Sequence, residues 1–527
     1  MTISNLSSVV AADTTISGEL CVIGAGIAGL LLAHRIAKAG RRVIVIESGA
    51  DHFDPDIHDM NAVEDISARY GRDLTGRYRG LGGSSTRWGG RLIPISSHDT
   101  GARDYIGMPA WPIDLDRLDA YGEEIERLFD VSNGPFDRLA DVTPSRSPVL
   151  GSDENLGARW AKCPSFKKCN LSRVLRDPLT LNKNIEIWLE ATVCDFKLER
   201  MSGTLEGIVA KNLSGKVLHV KADRFVLAAG TIETTRLMLL MNKAADGHIF
   251  PVSSALGHYF QDHLKVQVAR IGRSNDVLTN RLFAYRYWNS TRRDLHLDVG
   301  MRAQEQGAAA SAFAYIAMDL AKSPLAAAKR ILQGVQRGEL DFAELMKFTK
   351  NAGLIGKAAY WRLVRKQLFV PKDVEFSIML CAEQLPHWKN RISLSQSCDR
   401  LGLPKALIEW QPMESEDRTL RVALAQLLAY WKAKALDRDC PLALTDIACD
   451  ENGSIAASAE ACAHPSGTTR MGTDPTTSVV GPDLRCHAVA NLSVVSASVF
   501  PTAGSANPTF TIMKLAYFFA DNYLARI

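Results

Sequence analysis

Apolar positions along this chain follow two periods, and the points where one gives way to the other mark its elements. Leu20, Cys21, Val22 and Ile23 form a short unbroken apolar run of strand type. After a glycine-rich turn, residues 30–39 carry apolar positions at the helical period, with Arg and Lys left on the outer face. Residues 42–46, Arg-Val-Ile-Val-Ile, predict a second strand ending at Glu47. Strand, turn, helix, strand is the start of a βαβ unit, which belongs to an α/β sheet. Further along, residues 224–237 read as a buried strand that breaks at Gly230 and enters a helix, although alone they are only a strand-to-helix junction. Between residues 373 and 380, Val374, Phe376, Ile378 and Leu380 alternate with Asp373, Glu375, Ser377 and Met379, the pattern of a half-buried strand.

The first turn is Gly24-Ala25-Gly26-Ile27-Ala28-Gly29. In a dinucleotide fingerprint Gly24 permits the turn, Gly26 lets backbone approach a pyrophosphate and Gly29 lets helix and strand pack closely. Ile27 and Ala28, at the helix start, offer N–H groups to the phosphates. Glu47, with Ser48 beside it, lies at the spacing of a carboxylate that holds ribose hydroxyls, and an acid there disfavours a 2′-phosphate. A lone glycine loop is also an ordinary tight turn; the two flanking strands and Glu47 favour a nucleotide. A second small-residue stretch contains Gly82, Gly83, Ser84, Thr86, Arg87, Trp88, Gly89 and Gly90. It permits close backbone approach to a flat ligand and offers N–H donors, but alone reads equally as a surface loop.

Near the far end stands the run 464–472, His-Pro-Ser-Gly-Thr-Thr-Arg-Met-Gly, followed later by Asn507, Pro508 and Thr509. Taken together, these stretches resemble the pattern of the glucose-methanol-choline (GMC) oxidoreductases. Further landmarks are Trp111-Pro112-Ile113, the run 257–263 (Gly-His-Tyr-Phe-Gln-Asp-His), Glu383 to Pro386 and 390–394. The stretch 84–90, Ser-Ser-Thr-Arg-Trp-Gly-Gly, is closer to the bacterial sugar-dehydrogenase and pyranose-oxidase branch. The resemblance implies a Rossmann-like FAD-binding domain discontinuous in sequence, at 16–100, 190–270 and 455–527. A substrate domain, an antiparallel sheet with helices, would take 101–189 and 271–454, so that the fold is α/β in class and α+β overall. By the same resemblance Val193, Ala229, Gly230, Ala497, Asn507, Pro508 and Thr509 join the FAD site, while Glu383, Gln384 and a strand at 92–97 contact substrate.

The chemistry implied is oxidation of a sugar or glycoside hydroxyl to a carbonyl. His464 would take the hydroxyl proton, a role matched by an ordinary imidazole pKa near 6.5, as hydride leaves for flavin N5. Asn507 would donate a hydrogen bond to the same oxygen. Alternatives are a bulky non-sugar alcohol such as a sterol, and a non-catalytic flavin scaffold or electron-transfer protein. The electron acceptor, O2, a quinone or another protein, stays open. Two departures from the family bear on the cofactor. Arg87 stands where pyranose oxidases carry the histidine bonded to flavin, so FAD is expected to be non-covalent. Ser496 replaces an aspartate found in many relatives.

Composition changes this picture little. A chain of 527 residues, 46% apolar, exceeds one ordinary domain, and a net charge of +4 gives no case for nucleic acid. Residues 1–19 lack a basic-then-apolar signal pattern, so a cytoplasmic protein with a disordered first fifteen or so residues is expected. His258, Asp262 and His263 have no further ligands at metal spacing and read as packing. Cys163 and Cys169 match no standard zinc or redox spacing and read as structural thiols. The helix-compatible segment 320–372 holds an excess of Lys and Arg; it is open to a solvated basic face, a lid or oligomer contact, or a surface meeting anionic lipid or a lipid-linked glycan.

Overall fold

A computed structural model describes residues 3–70, 76–132, 134–139, 149–199, 203–289, 291–320, 323, 325–337 and 352–526. The apolar run at 20–23 is the buried end of the strand Asp13–Ile23. That strand pairs in parallel with Val43–Ile46 on one side and Val217–Leu227 on the other. Ile185–Leu189 and Ile3–Asn5 extend the sheet beyond Val43–Ile46, again in parallel. Past Val217–Leu227 it turns antiparallel through Leu205–Lys211 and Thr192–Leu198. Leu492–Val494 completes it, pairing in parallel with Phe225, Val226 and Leu227. The helix Ile27–Lys38 buries Leu30, Leu31, Leu32 and Ile36 and packs against the C-terminal helix Pro508–Leu524.

The expected disorder at the N-terminus is overturned. Ile3, Ser4 and Asn5 pair with Ile187, Trp188 and Leu189, and Asp13 to Gly18 pair with Val217 to Ala222. This stretch is polar because it is a half-exposed ladder, held by backbone hydrogen bonds with little apolar burial, and composition registers only the latter.

The second large sheet is antiparallel, in the order Arg286–Trp288, Thr291–Val299, Ala312–Met318, Phe376–Ala382, Leu264–Ile271, Leu442–Leu444. Leu156–Cys163 also pairs with Thr291–Val299. The strand read from alternation at 373–380 is Phe376–Ala382, three residues later. One face of the sheet is apolar and is covered by the 20-residue helix Glu414–Ala433 through Leu420, Ala423, Leu427 and Trp431. The expected strand at 92–97 is absent: Leu92 makes a single bridge to Lys162, and Ser96 Oγ caps the short helix Ser97–Thr100 by accepting from Asp99 N at 3.1 Å. In the basic segment, helices Leu325–Arg337 and Ala352–Leu363 form, while 338–351, with Leu340, Phe342, Leu345 and Phe348, lie outside the described residues. Gln336 Nε2 donates to Ser85 O and Trp88 O, both at 3.2 Å, tying the first of these helices to the second glycine stretch. Among the described residues no helix is long and apolar enough to cross a membrane.

Helix Ile27–Lys38 can lie on its strand only because Gly29 lacks a side chain: a Cβ there would fall 1.9 Å from Gly24 O. Gly29→Ala must push the helix off the strand, an overpacking cost of about 1–3 kcal/mol or more. We expect a lowered melting temperature together with loss of flavin from the purified protein, read by differential scanning fluorimetry and the visible spectrum.

Candidate active site

The residues singled out in the sequence converge on one cavity of about 710 Å3, lined by both large sheets and within the ~300–1,000 Å3 usual for ligand sites. On the parallel-sheet side its wall includes Gly24, Gly26, Ile27, Ala28, Glu47, Ser48, Val193, Ala229 and Gly230. Gly83, Ser84, Arg87, Trp88, Gly89 and Gly90 line it from the second glycine stretch, and Ala497, Pro508 and Thr509 from the C-terminal part. The cradle fits a dinucleotide. Gly24 has φ +107°, and a Cβ there would meet Ala228 O at 2.7 Å, whereas at Gly26 the nearest atom is 4.0 Å away, leaving room for a phosphate. Gly26 occupies the N-cap of helix Ile27–Lys38 and brings no side chain to cap it, so its first N–H groups remain for an anion. Glu47 accepts from Ala25 N and Gly49 N, both at 2.9 Å. Burial raises its pKa, offset by those N–H groups and by Arg79. Glu47 also lines the cavity, and a carboxylate with two such donors keeps acceptor capacity for a ribose hydroxyl.

Three expected cofactor residues stand behind the wall. Gly29 is the close contact described above. Gly82 N donates to Ala25 O at 2.9 Å, tying the two glycine stretches together, and Thr86 Oγ1 donates to Gly83 O at 3.0 Å, holding the turn Gly83–Thr86. The Arg87 guanidinium lies 4.9 Å from the Phe53 ring centroid and 4.8 Å from that of Tyr78. Ser496 lines the cavity and accepts from Ser498 N at 3.1 Å.

His464 and Asn507 meet in the same cavity, with Asn507 Nδ2 3.1 Å from His464 Nε2. Behind His464 lies His263, Nδ1 to Nδ1 at 2.9 Å, and His263 Nε2 is 2.8 Å from Gly504 O. A carbonyl can only accept, so His263 carries its proton on Nε2 and, when neutral, its Nδ1 must accept. His464 therefore carries its proton on Nδ1, which leaves Nε2 bare beside Asn507. Both rings are neutral: burial lowers His464 well below an ordinary histidine, helped by His263, Arg91 and Lys265, and burial likewise lowers His263. The ordinary imidazole pKa expected for His464 is thus corrected downward, because the ring is buried among cations. Ala463, the residue just before it, sits in the left-handed region at φ +59°, where the backbone turns to bring His464 inward. Asp262 fixes the backbone of His464, accepting from its N–H at 2.9 and 3.0 Å and from Tyr70 Oη at 3.0 Å. Burial raises Asp262 to about 7 despite these donors. His263, read from sequence as packing, is therefore the partner of His464; only the tertiary fold brings the two together.

The expected substrate contacts Glu383 and Gln384 are corrected. Both are fully buried and absent from the cavity wall. Glu383 makes a two-pronged ion pair with Arg103, at 2.6 and 2.8 Å, and accepts from Gly504 N at 3.0 Å. Gln384 Oε1 accepts from Asp262 N at 3.1 Å and from Trp410 Nε1 at 2.6 Å. They brace Gly504 and Asp262, which in turn hold the two histidines.

Facing this pair is the polar side of the antiparallel sheet. Register sets Phe313 opposite Cys381 and Cys381 opposite Lys265, while Tyr315 lies opposite His296. Arg292, Asp294, His296 and Asp298 share that face, and Leu295, Leu297 and Val299 fill the core on the other. Lys265, Tyr285, Arg292, Phe313, Tyr315 and Cys381 line the cavity, with Arg91 and Cys462. Sequence reasoning missed this wall, although the alternation of residues 294–299 between polar and apolar was there to read. Cys163 and Cys169 are buried, and burial pushes both thiols up, to about 12.

Comparison with known proteins agrees with this architecture. Residues 386–516 match the family model described as GMC oxidoreductase, and residues 22–53 match the NAD(P)-binding Rossmann-like domain. Paromamine 6'-oxidase of Streptomyces fradiae is 24% identical, covering 94% of this chain and 90% of its own length. The 2-methyl-1,2-propanediol dehydrogenase of Mycolicibacterium austroafricanum is 23% identical over 96% and 95%. Among solved structures, pyridoxine 4-oxidase from Mesorbium loti superposes with a TM-score of 0.58 at 18% identity, covering 96% of this chain and 99% of that one. A formate oxidase from Aspergillus oryzae RIB40, studied for FAD modification, gives 0.57 at 16%, covering 97% and 98%. The structural likenesses concern the fold.

Glu383→Ala strands the buried Arg103 guanidinium without its partner, and removing one member of a buried pair costs about 3–5 kcal/mol. Unfolding in urea is expected to show that loss. A substrate contact would raise KM and leave stability in place.

Proposed function

We propose that this chain, a GMC oxidoreductase that binds FAD and acts on CH–OH groups, oxidises a sugar or glycoside hydroxyl to a carbonyl, with His464 as the base. The observation that carries the reading is His464 Nε2 within hydrogen-bond reach of Asn507 Nδ2, at 3.1 Å, in the cavity that holds the cofactor cradle. FAD, when bound, supplies the two-electron acceptor for a hydride. His464 Nε2 takes the hydroxyl proton while Nδ1–H stays on His263, so the ring is held in one orientation as it becomes charged. Asn507 Nδ2 donates to the substrate oxygen and aims the carbon at the acceptor, a role open to an amide that cannot serve as base.

The cationic and phenolic wall of Arg91, Lys265, Arg292, Tyr285 and Tyr315 supports a polyhydroxylated substrate over a sterol, for which an apolar roof would be needed. Presence of base, hydrogen-bond donor and cradle in one cavity favours catalysis over a flavin scaffold. The FAD is held without a covalent bond: the protonated guanidinium of Arg87 has no free lone pair to bond to flavin carbon as an imidazole does, and it is engaged by Phe53 and Tyr78.

Anaerobic mixing of the flavin-loaded protein with free sugars, glycosides, amino sugars and sterols, followed by absorbance at the flavin band, tests the reaction. A sugar or glycoside should bleach the band, and His464→Ala should keep the flavin spectrum while slowing bleaching by about 10²-fold or more, as loss of a general base does. Undiminished bleaching in His464→Ala would remove this residue from the mechanism. Acid precipitation checks the attachment separately: all flavin is expected in the supernatant, and yellow colour left in the pellet would mean a covalent bond.

A further inference from the structure

The wall that faces His464 carries more positive than negative charge. Asp294 is the one carboxylate between Arg91 and Arg292: Arg91 Nε donates to Oδ2 at 3.0 Å, and Arg292 Nε donates to Oδ1 at 2.8 Å and its Nη2 to Oδ2 at 3.1 Å. Burial alone would raise Asp294, but the two guanidiniums hold it below the usual carboxylate range, so all three groups are charged. Two cations on one anion leave one positive charge over. The other acid of this face, Asp298, is taken by Arg159 at 3.0 Å. Lys265 adds a further cation, and its one partner among the described residues is Glu460, 3.5 Å away on a side chain 78% exposed, where water screens the pair.

Arg91 is the group best placed to use this surplus. Among the described residues it spends only Nε, on Asp294, and its terminal nitrogens Nη1 and Nη2 make no hydrogen bond. Its side chain keeps 25% of its surface open, in the cavity wall. The guanidinium is held in place twice over, by Asp294 at one edge and by the Tyr315 ring, whose centroid is 5.2 Å away. A planar fork with two parallel free donors, fixed before any ligand arrives, is suited to two oxygens of one anion. Arg91 and Lys265 line the same cavity as His464, and both cations disfavour its protonated form.

We propose that Arg91, with Lys265, holds an anionic group of the substrate, so that the alcohol oxidised is a carboxylate- or phosphate-bearing one such as a uronate or a sugar phosphate. This deepens the function proposed above and rests on it for the identity of the reacting group. Neutral alcohols leave the surplus charge facing water or nothing, and protonated amino sugars are repelled by it.

The test uses the flavin-loaded protein and sets of sugars matched except for one substituent: neutral, carboxylate, phosphate monoester and protonated amine. Isothermal titration measures binding, and anaerobic flavin bleaching measures reaction. Expected is binding of an anionic member at least about tenfold tighter than its neutral parent, the scale of charge-assisted hydrogen bonds. The carboxylate and phosphate arms then tell which anion the fork takes. In Arg91→Gln the ratio of kcat/KM for anionic over neutral substrate should collapse toward one, and Arg91→Lys, which keeps the charge without the fork, should restore part of it. Flavin content and melting temperature confirm that the variants are folded, and the wild-type comparison needs no variant. Equal binding of neutral and anionic members, or tighter binding of the amine, overturns the inference and leaves alcohol oxidation standing. An equal loss for both substrates in Arg91→Gln also overturns it, since Arg91 would then serve the reaction and not the anion. Tight anion binding without bleaching by any alcohol upholds the anion site and overturns the oxidation.

Discussion

One carbonyl sets the direction of the hydrogen bonds on which the reacting centre depends. Gly504 O can accept and never donate, so the two rings in line with it have a single neutral arrangement. Reversing either ring would face donor against donor or lone pair against lone pair in a buried place, where an unsatisfied polar contact costs most. The fold spends much of its buried polarity on keeping that carbonyl still. Glu383 receives Gly504 N and is itself clamped by Arg103, and Gln384 receives Asp262 N, from which the backbone of His464 hangs. None of these side chains lines the cavity, yet each braces a group that in turn positions His263 or His464.

Burial among cations makes His464 a poor proton acceptor in isolation. The same field, from Arg91 and Lys265, favours the alkoxide form of an alcohol held beside it, so the weakness of the base and the acidity of the substrate move together. A ring that stays neutral until substrate arrives also avoids the cost of an imidazolium enclosed with guanidinium groups.

How much was legible in the sequence follows the distance over which each feature is built. The glycine cradle and Glu47 were readable because strand, turn and helix are contiguous and their spacing is dictated by local geometry. The meeting of His464 with Asn507 came from motif resemblance, and their 3.1 Å contact is a fact of the fold. His263, Glu383 and Gln384 were misread because their partners lie far away in the chain: His263 and His464 are 201 positions apart, Arg103 and Glu383 280. A buried acid in a family landmark looks the same in sequence whether it meets substrate or an arginine. The N-terminal strand failed for another reason, since ladder hydrogen bonds leave no hydrophobic trace. The charged wall lay in plain alternation from Asp294 to Val299, but choosing which face met the cavity needed the register of the whole sheet.

The parallel sheet is closed by Leu492–Val494, a strand separated by more than half the chain from Asp13–Ile23, the strand that bears the cradle. During synthesis the cradle emerges first and must wait, with Phe225, Val226 and Leu227 unpaired on one side, until the C-terminal strand and helix leave the ribosome. A nascent chain therefore offers this short unfinished edge until the arrival of the same segment that delivers Asn507. Completion of the parallel sheet and of the reacting centre is thus a single late event.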